Sequence, residues 1–256
     1  MAGLALAAMP GVAEAQSEPA AKADPALSPV APEARAILDR MAAYVQKAAS
    51  IQVVADLAWD SVQMDGQKLE FGETRRVSMR RPDRLRIETE RRSGEKRGTV
   101  YDGKELAVFD YDEKAYASVP ATGTLDDVVD YARADLGVRM PLAELFTSDL
   151  GETLTGNLRE ADVVGVDRLG GVAYDHVAFR NDTVDGQVWV AQGNAPLPRR
   201  IVLTYRNEIG QPQFRADLRD WNLQASLPDS LFQITPPAGA ERLPLAAPSA
   251  GQAVAP

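Results

Sequence analysis

A succession of short alternating apolar segments, separated by tight turns, constrains the fold of this 256-residue chain more than any other feature. The stretch TVYDGKELAVFDYDEKAYASV, residues 99–119, shows the pattern, with reversals at Asp102-Gly103 and Asp112-Glu113. Asp-Gly supplies the positive φ angles of a hairpin turn, and Asp side chains bond their own backbone in turns. We therefore interpret the carboxylates of this stretch as turn formers and the stretch itself as part of a sheet.

The same alternation extends on both sides of this stretch. In residues 53–63 Val53, Ala55, Leu57 and Trp59 share one face, and Asp65-Gly66 then predicts a hairpin. Residues 68–80 alternate again, with Glu73 and Arg75 interrupting the apolar face. Further strands are predicted around Leu85 and Ile87 and at 105–110, 115–119, 162–167, 172–179, 187–191, 199–205 and 214–221. About ten strands follow one another without strand–helix–strand alternation, which predicts a mainly antiparallel sheet.

Helices are predicted at two places. From Pro32 onward, Ile37, Met41 and Val45 recur at helical spacing and predict one long amphipathic helix. Between the two groups of strands, residues 124–127 resemble a capping box that opens a second helix ending at Gly137. A third, short helix is predicted from Pro141 to Gly151 and carries Leu142, Leu145 and Phe146 inward.

These elements predict an α+β fold. A sheet of about ten antiparallel strands twists and curls rather than staying flat. The simplest way to bury its one-sided apolar faces is to wrap it over the few helices. The predicted architecture is therefore a strongly curved antiparallel sheet, an incomplete β-barrel closed by helices.

The two termini are Ala-rich and differ from the rest of the chain. Residues 1–15 end in Ala-Glu-Ala, which is typical of the end of a secretory signal whose start lies upstream; the alternative is an Ala-rich disordered terminus. Residues 16–31 are predicted to form an Ala/Pro tether and residues 244–256 a disordered tail. A single domain is expected over 32–243, in a protein exported to the periplasm.

Composition excludes several classes of function. The net charge of −9 argues against a nucleic-acid partner, and the absence of cysteine excludes thiolate catalysis and thiolate metal sites. His176 is the only histidine, so we expect it to be a satisfied strand residue, and no metal site, catalytic residue or cofactor is predicted. Residues 75–97 hold ten basic against four acidic side chains, which indicates either a solvated face with ion pairs or a basic surface for lipid headgroups or a partner.

Several segments, in order, resemble a known family. MRRPDRLRIE (79–88) followed by VYDGKELAVFDYDEKAYASV (100–119) resembles the strand and hairpin of the LolA-like lipoprotein-carrier superfamily. DHVAFRNDTVDGQVWV, PLPRRIVLTY, PQFRADLRDWNL and FQITPPAGAERL, between residues 175 and 243, are similar to one branch of predicted periplasmic proteins of unknown function. The resemblance implies a bent sheet over helices with a hydrophobic cavity between them, and acylated molecules as cargo.

The leading hypothesis is a periplasmic, non-enzymatic binder or carrier of a lipid or acylated molecule. It is expected to be a monomer that makes peripheral contact with the membrane or with an envelope or outer-membrane protein. The predicted cavity wall comprises Leu57, Trp59, Leu69, Phe71, Leu85 and Ile87. The predicted helical lid comprises Met41, Val45, Leu142 and Phe146, and headgroup or partner contacts are assigned to Arg75, Arg84 and Arg86.

Two alternatives stay open at this point. The same fold with a filled core would serve as an interaction module of an envelope assembly. A carboxylate-dependent hydrolase is the weaker alternative, because no spacing in the chain selects a pair of carboxylates. Trp59, Trp189 and Trp221 fall in predicted strands, either as core residues or as an aromatic wall around a ligand.

Overall fold

The computed structural model describes residues 29–134 and 142–244, and within them three α-helices, two 3₁₀ helices and one twelve-stranded sheet. The α-helices are α1 (Pro32–Gln46), α2 (Leu125–Ala134) and α3 (Leu150–Thr155), and the 3₁₀ helices span Ala143–Phe146 and Asp229–Phe232. The strands are β1 (Ser50–Val62), β2 (Lys68–Arg80), β3 (Arg84–Arg91), β4 (Lys96–Tyr101), β5 (Glu105–Asp110), β6 (Ala115–Pro120), β7 (Glu160–Leu169), β8 (Val172–Arg180), β9 (Val184–Ala191), β10 (Pro198–Tyr205), β11 (Gln213–Asn222) and β12 (Glu241–Arg242).

The sheet consists of two meanders joined along β1 and β11. Its strand order is β12-β6-β5-β4-β3-β2-β1-β11-β10-β9-β8-β7, and the pairings are antiparallel except for β12 with β6. β7 and β12 stand at opposite ends of the order, so the curved sheet is not closed into a barrel. The predicted fold is confirmed. The sequence pattern did not reveal β12, because two residues are too few to show alternation.

The register of the strands defines an inner face that packs on the helices. Val53 of β1 lies opposite Val77 of β2, and Val77 lies opposite Ile87 of β3. Because side chains in a strand alternate between the two faces, every second residue from these positions shares the inner face. Most of the largest cluster of buried apolar side chains forms between this face and helices α1 and α2.

Helix α1 agrees with its prediction. It begins at Pro32 and buries Ile37, Met41 and Val45, with exposed fractions of 5% or less. The helix lies against α3 and strands β7, β8 and β9. It therefore covers the half of the inner face that belongs to the second meander.

The chain between the two meanders differs in part from the prediction. Helix α2 has the predicted capping box: the backbone N–H of Thr124 donates to Asp127 Oδ2 at 2.7 Å, and the Asp127 N–H donates to Thr124 Oγ1 at 3.4 Å. The predicted end at Gly137 and the predicted start at Pro141 lie outside the described residues. The prediction of a single short helix that ends at Gly151 is wrong. A 3₁₀ helix and α3 occupy this region, and Gly151 lies inside α3.

The segment 223–243, here called the strap, crosses the outer face of the sheet. Arg80 and Arg86, which point outward from β2 and β3, donate to the carbonyl oxygens of Leu227 at 2.8 Å and Leu231 at 3.4 Å. Phe232 is buried under this crossing, and β12 then pairs with β6 at the far edge. The strap therefore covers outward-facing side chains that the sequence alone leaves exposed.

Candidate functional site

A small cavity lies between the inner face of the sheet and the cover formed by α2 and the first 3₁₀ helix. Its volume is about 50 Å³. Eleven residues line it: Ala55, Arg75, Val77, Leu85, Ile87, Leu125, Val129, Leu142, Ala143, Phe146 and Leu218. Ten of them are apolar, and Arg75 is the one charged residue among them.

The cover is fixed to the sheet through the N-terminal end of α2. The backbone N–H of Leu125 donates to the carbonyl oxygen of Pro82 at 2.7 Å, and the Tyr101 hydroxyl donates to that of Gly123 at 2.8 Å. Asp126 at the start of α2 accepts the backbone N–H of Ser148 at 2.9 Å. These contacts hold Leu125 and Val129 over β2 and β3, where both side chains are buried.

Leu142 occupies an unusual backbone conformation in the wall of the cavity. Its φ is +79°, in the left-handed region that costs a bulky side chain about 1–2 kcal/mol. The residue directly precedes the 3₁₀ helix that carries Ala143 and Phe146 into the cavity wall. The backbone of this part of the cover is therefore in a less favourable conformation than that of the capped start of α2.

Four of the ten apolar side chains predicted for the wall and lid line the cavity. Leu85, Ile87, Leu142 and Phe146 line it. Leu57 and Trp59 lie on the inner face but are buried in the core, and Met41 and Val45 are buried on α1. Met41 and Val45 do not line the cavity, because α1 lies over the second meander while α2 and the 3₁₀ helix cover the first. Leu57 and Trp59 lie opposite Glu73 and Phe71, farther along β1 than the lining residue Ala55.

Leu69 and Phe71 do not belong to the cavity wall, and their assignment to it is corrected. Their exposed fractions are 39% and 50%. Both share the inner face with Val77, but the first four residues of β2 are all exposed because the β1–β2 hairpin extends past the helical cover. Alternation along a strand identifies the face of a side chain but not what covers that face.

The three predicted arginine contacts lie on different faces. Arg75 points inward, opposite Ala55 and Thr89, and lines the cavity. Arg84 and Arg86 are on the outer face, where they pair with Asp83 at 2.9 Å and Glu88 at 2.9 Å. Their assignment as headgroup contacts is corrected for this cavity, because a strand residue cannot reach the opposite face. Contact of these two residues with a protein partner stays a prediction.

Ion pairs account for most of the basic segment. Eight of its ten cations are paired with carboxylates: Arg75, Arg80, Arg84, Arg86, Arg91, Arg92, Lys96 and Arg97. Cross-strand pairs such as Arg97 with Asp110, at 3.3 Å, match the interpretation of a solvated face. Surface pairs of this kind contribute little stability each.

Six of the lining residues were not predicted from the sequence as site residues. Ala55, Val77 and Leu218 continue the inward alternation of their strands, and Leu125 and Val129 lie on the apolar stripe of α2. That stripe is the signal that could have found the cover. Ala143 carries no comparable signal, because its placement depends on a four-residue 3₁₀ helix.

The polar residues singled out in the sequence have structural partners. Asp102 Oδ1 accepts the backbone N–H groups of Lys104 and Glu105, both at 2.9 Å, as expected of a turn former. The ring of His176 stacks on that of Trp189, with ring centroids 4.1 Å apart. Its Nε2 atom lies 3.0 Å from Gln187 Oε1. None of the eleven lining residues is a carboxylate or a tryptophan. Over residues 29–134 and 142–244, no group of three or more His, Asp or Glu side chains is placed to hold a metal ion.

The helices of the described ranges include none with the length and apolar character needed to cross a bilayer.

Comparisons with known proteins identify one family and several similar solved structures. The family described as "Predicted periplasmic protein (DUF2092)" matches residues 34–246. No curated protein sequence matches the chain. Among solved structures, an uncharacterized conserved protein from Thermus thermophilus is similar over 83% of this chain and 99% of its own, with 14% identity and a TM-score of 0.48.

Two further solved structures are similar at a comparable level. The lipoprotein LppX from Mycobacterium tuberculosis shows 13% identity and a TM-score of 0.47, over 76% of this chain and 98% of its own. A LolA superfamily protein from Nitrosomonas europaea shows 15% identity and a TM-score of 0.37, over 78% of this chain and 97% of its own.

Proposed function

The chain belongs to the family of predicted periplasmic proteins designated DUF2092, and from that premise we propose that it binds or carries a lipid or another acylated molecule. Membership of this family places the protein in the periplasm, as its sequence predicts. The ligand occupies the cavity between the inner face and the cover, and the role is non-enzymatic. The observation that carries the proposal is the lining, in which ten apolar residues surround a cavity with a single cation.

The energetics of such a site need few polar contacts. Burial of a saturated chain contributes roughly 0.8 kcal/mol per CH₂ group. A 16-carbon chain thus offers about 12 kcal/mol before the cost of association is subtracted. An apolar lining is therefore sufficient for useful affinity.

The size of the cavity requires that its wall moves when a long chain binds. The volume of about 50 Å³ is far below the roughly 300–1,000 Å³ of pockets that enclose small-molecule ligands. Leu142, Ala143 and Phe146 form the part of the wall with the shortest element and the strained backbone. We assign the opening movement to this segment, while the capped start of α2 stays in place.

Blocking the cavity tests the proposal. Ala143 is half-buried and lines the cavity, so an Ala143→Trp side chain fills the space without replacing a large core residue. Protein purified from the periplasm is analysed by native mass spectrometry, followed by organic extraction. Wild-type protein is expected to carry an added mass that extracts as a lipid, and Ala143→Trp is expected to lose at least about nine-tenths of it.

Ala134→Trp is the matched control, because Ala134 is exposed at the end of α2 and does not line the cavity. This variant should retain the lipid mass. Equal retention by both variants would exclude the cavity as the binding site. The proposed function would be wrong if wild-type protein carries no lipid mass and takes up no lipid from vesicles made of bacterial membrane lipids.

A second candidate function is supported by the same cavity volume. A concave face that is almost filled suits an interaction module of an envelope assembly, whose partner binds the outside of the fold. This hypothesis predicts no extractable lipid, and it predicts that Ala143→Trp co-purifies with the same envelope proteins as the wild type.

A further inference from the structure

The inner face of the first meander changes from apolar to charged along its strands. Val53, Val77 and Ile87 form one row across β1, β2 and β3. Two residues along, the corresponding positions of β2 and β3 are Arg75 and Thr89. The apolar cavity therefore ends at a polar boundary on the same face, which is the arrangement that an amphiphile requires.

Arg75 stands at this boundary and contacts both environments. Its side chain lines the cavity, and its Nε–H donates to Glu73 Oε1 at 2.5 Å. Among the residues that the structure describes, Glu73 is the only side chain bonded to Arg75. A guanidinium has five N–H donors, so the four on its two Nη atoms have no acceptor in the described protein.

Glu73 fixes the position of this guanidinium. The side chain of Glu73 is 6% exposed, and a carboxylate so deeply buried is costly unless it is paired. Arg91 is a second cation, with its Nε 4.0 Å from Glu73 Oε2, and it also pairs with the exposed Glu95 at 3.0 Å. Glu73 thus holds Nε of Arg75 and leaves the Nη edge directed to other acceptors.

We infer that the ligand is an anionic amphiphile whose carboxylate or phosphate head binds the Nη edge of Arg75 while its tail enters the apolar cavity. The inference rests on the proposed function and adds the chemical class and orientation of the ligand. Guanidinium groups recognise carboxylates and phosphates through paired N–H donors, and such charge-assisted bonds are stronger than neutral ones. Arg75 is the binding residue and Glu73 its positioning residue.

The test compares two ligands that share a tail and differ in the head. Equilibrium dialysis measures the binding of radiolabelled dodecanoate and of dodecanol to the full chain. Replacing Arg75 by Gln should weaken dodecanoate binding about 10- to 100-fold, the loss expected for hydrogen bonds to a charged group. Dodecanol should bind wild-type protein and Arg75→Gln equally, since the tail site is unchanged.

Arg76→Gln is the matched control on the next residue of β2. Arg76 is exposed, points to the outer face and carries the same charge, so this variant should bind dodecanoate as the wild type does. Because Arg75→Gln leaves the buried Glu73 with only the 4.0 Å contact to Arg91, the double variant Glu73→Gln/Arg75→Gln removes the pair together and keeps the experiment valid if the single variant unfolds. It should show the same selective loss.

The outcomes separate the two proposals. Equal affinities for dodecanoate and dodecanol in all variants would overturn the inference that Arg75 binds an anionic head group. The proposed apolar binding site would still stand. Failure of the wild type to bind either ligand would overturn the proposed function and the inference with it. Saturable binding of inorganic phosphate or acetate that competes with dodecanoate would identify a site for free anions. That result would overturn the inference that the ligand is an amphiphile.

Discussion

Tyr101 links the sheet to the cover of the cavity through one buried hydroxyl. Its side chain is fully buried on β4, and the hydroxyl donates to the Gly123 carbonyl just before α2. Burial raises the pKa of this hydroxyl above its ordinary value, and the nearby carboxylates of Asp83, Asp127 and Asp102 raise it further. The folded state therefore keeps the proton that the unfolded chain releases.

This pKa predicts a specific loss of stability in alkali. Because the folded-state pKa of Tyr101 is raised, its contribution is complete below the unfolded pKa of about 10 and is lost as the pH rises through the folded value. The free energy of unfolding of the wild type should fall more steeply above about pH 10 than that of Tyr101→Phe. Urea denaturation from pH 8 to 11 measures both slopes, and identical slopes would contradict the assignment.

The strap shows how a segment with little regular secondary structure stabilises the sheet. Arg80 donates to the Leu227 carbonyl, pairs with Asp229 and lies over the ring of Phe232 at 5.5 Å. The Phe232 side chain is 1% exposed and packs with Ala225 and Leu227. The outer face of the first meander therefore depends on residues near the C-terminal end of the fold.

Truncation of Phe232 should accordingly destabilise the whole protein. Replacement of a buried phenylalanine by alanine costs about 3–5 kcal/mol, through lost burial and the cavity that remains. Phe232→Ala should lower the free energy of unfolding in urea by about this amount. Its neighbour Gln233 is exposed, so Gln233→Ala serves as the control with no change beyond about 0.5 kcal/mol. Equal effects of the two variants would show that the strap is not packed.

The inner face of the second meander contains a close contact between a glycine and an aromatic ring. Gly186 of β9 lies opposite Phe179 of β8, and a Cβ atom at Gly186 would come within 2.1 Å of the Phe179 ring. The glycine therefore leaves room for the ring to lie over the neighbouring strand. Phe179 is buried, so a displaced ring would have to move against neighbouring core side chains.

Two glycine substitutions should change stability in opposite directions. Gly186→Ala forces the Phe179 ring out of place and should cost about 1–3 kcal/mol. Gly151→Ala in α3 meets no atom closer than 3.8 Å and should stabilise the protein by up to about 1 kcal/mol, because alanine favours the helix. Thermal unfolding compares the two variants with the wild type. A neutral Gly186→Ala would show that the inner face is loosely packed.

Much of the fold could be predicted because its signals are local. β2 and β5 have the predicted bounds, since Asp65-Gly66 and Asp102-Gly103 set the turns and alternation sets the faces. The site was predicted less completely. Leu85 and Leu69 have the same inward pattern, yet one lines the cavity and the other is exposed, because the cover reaches only part of the face.

The amino-acid sequence by itself determined most of the strands, the long first helix and the curved antiparallel sheet. These properties depend on side-chain alternation, helical spacing and turn residues, which act over a few neighbouring positions. Only the tertiary structure decided that α2 and the 3₁₀ helix, rather than α1, cover the cavity, and that the strap covers Arg86 on the outer face. Coverage depends on contacts between residues distant in the chain, and no local pattern encodes which segment reaches which part of the sheet.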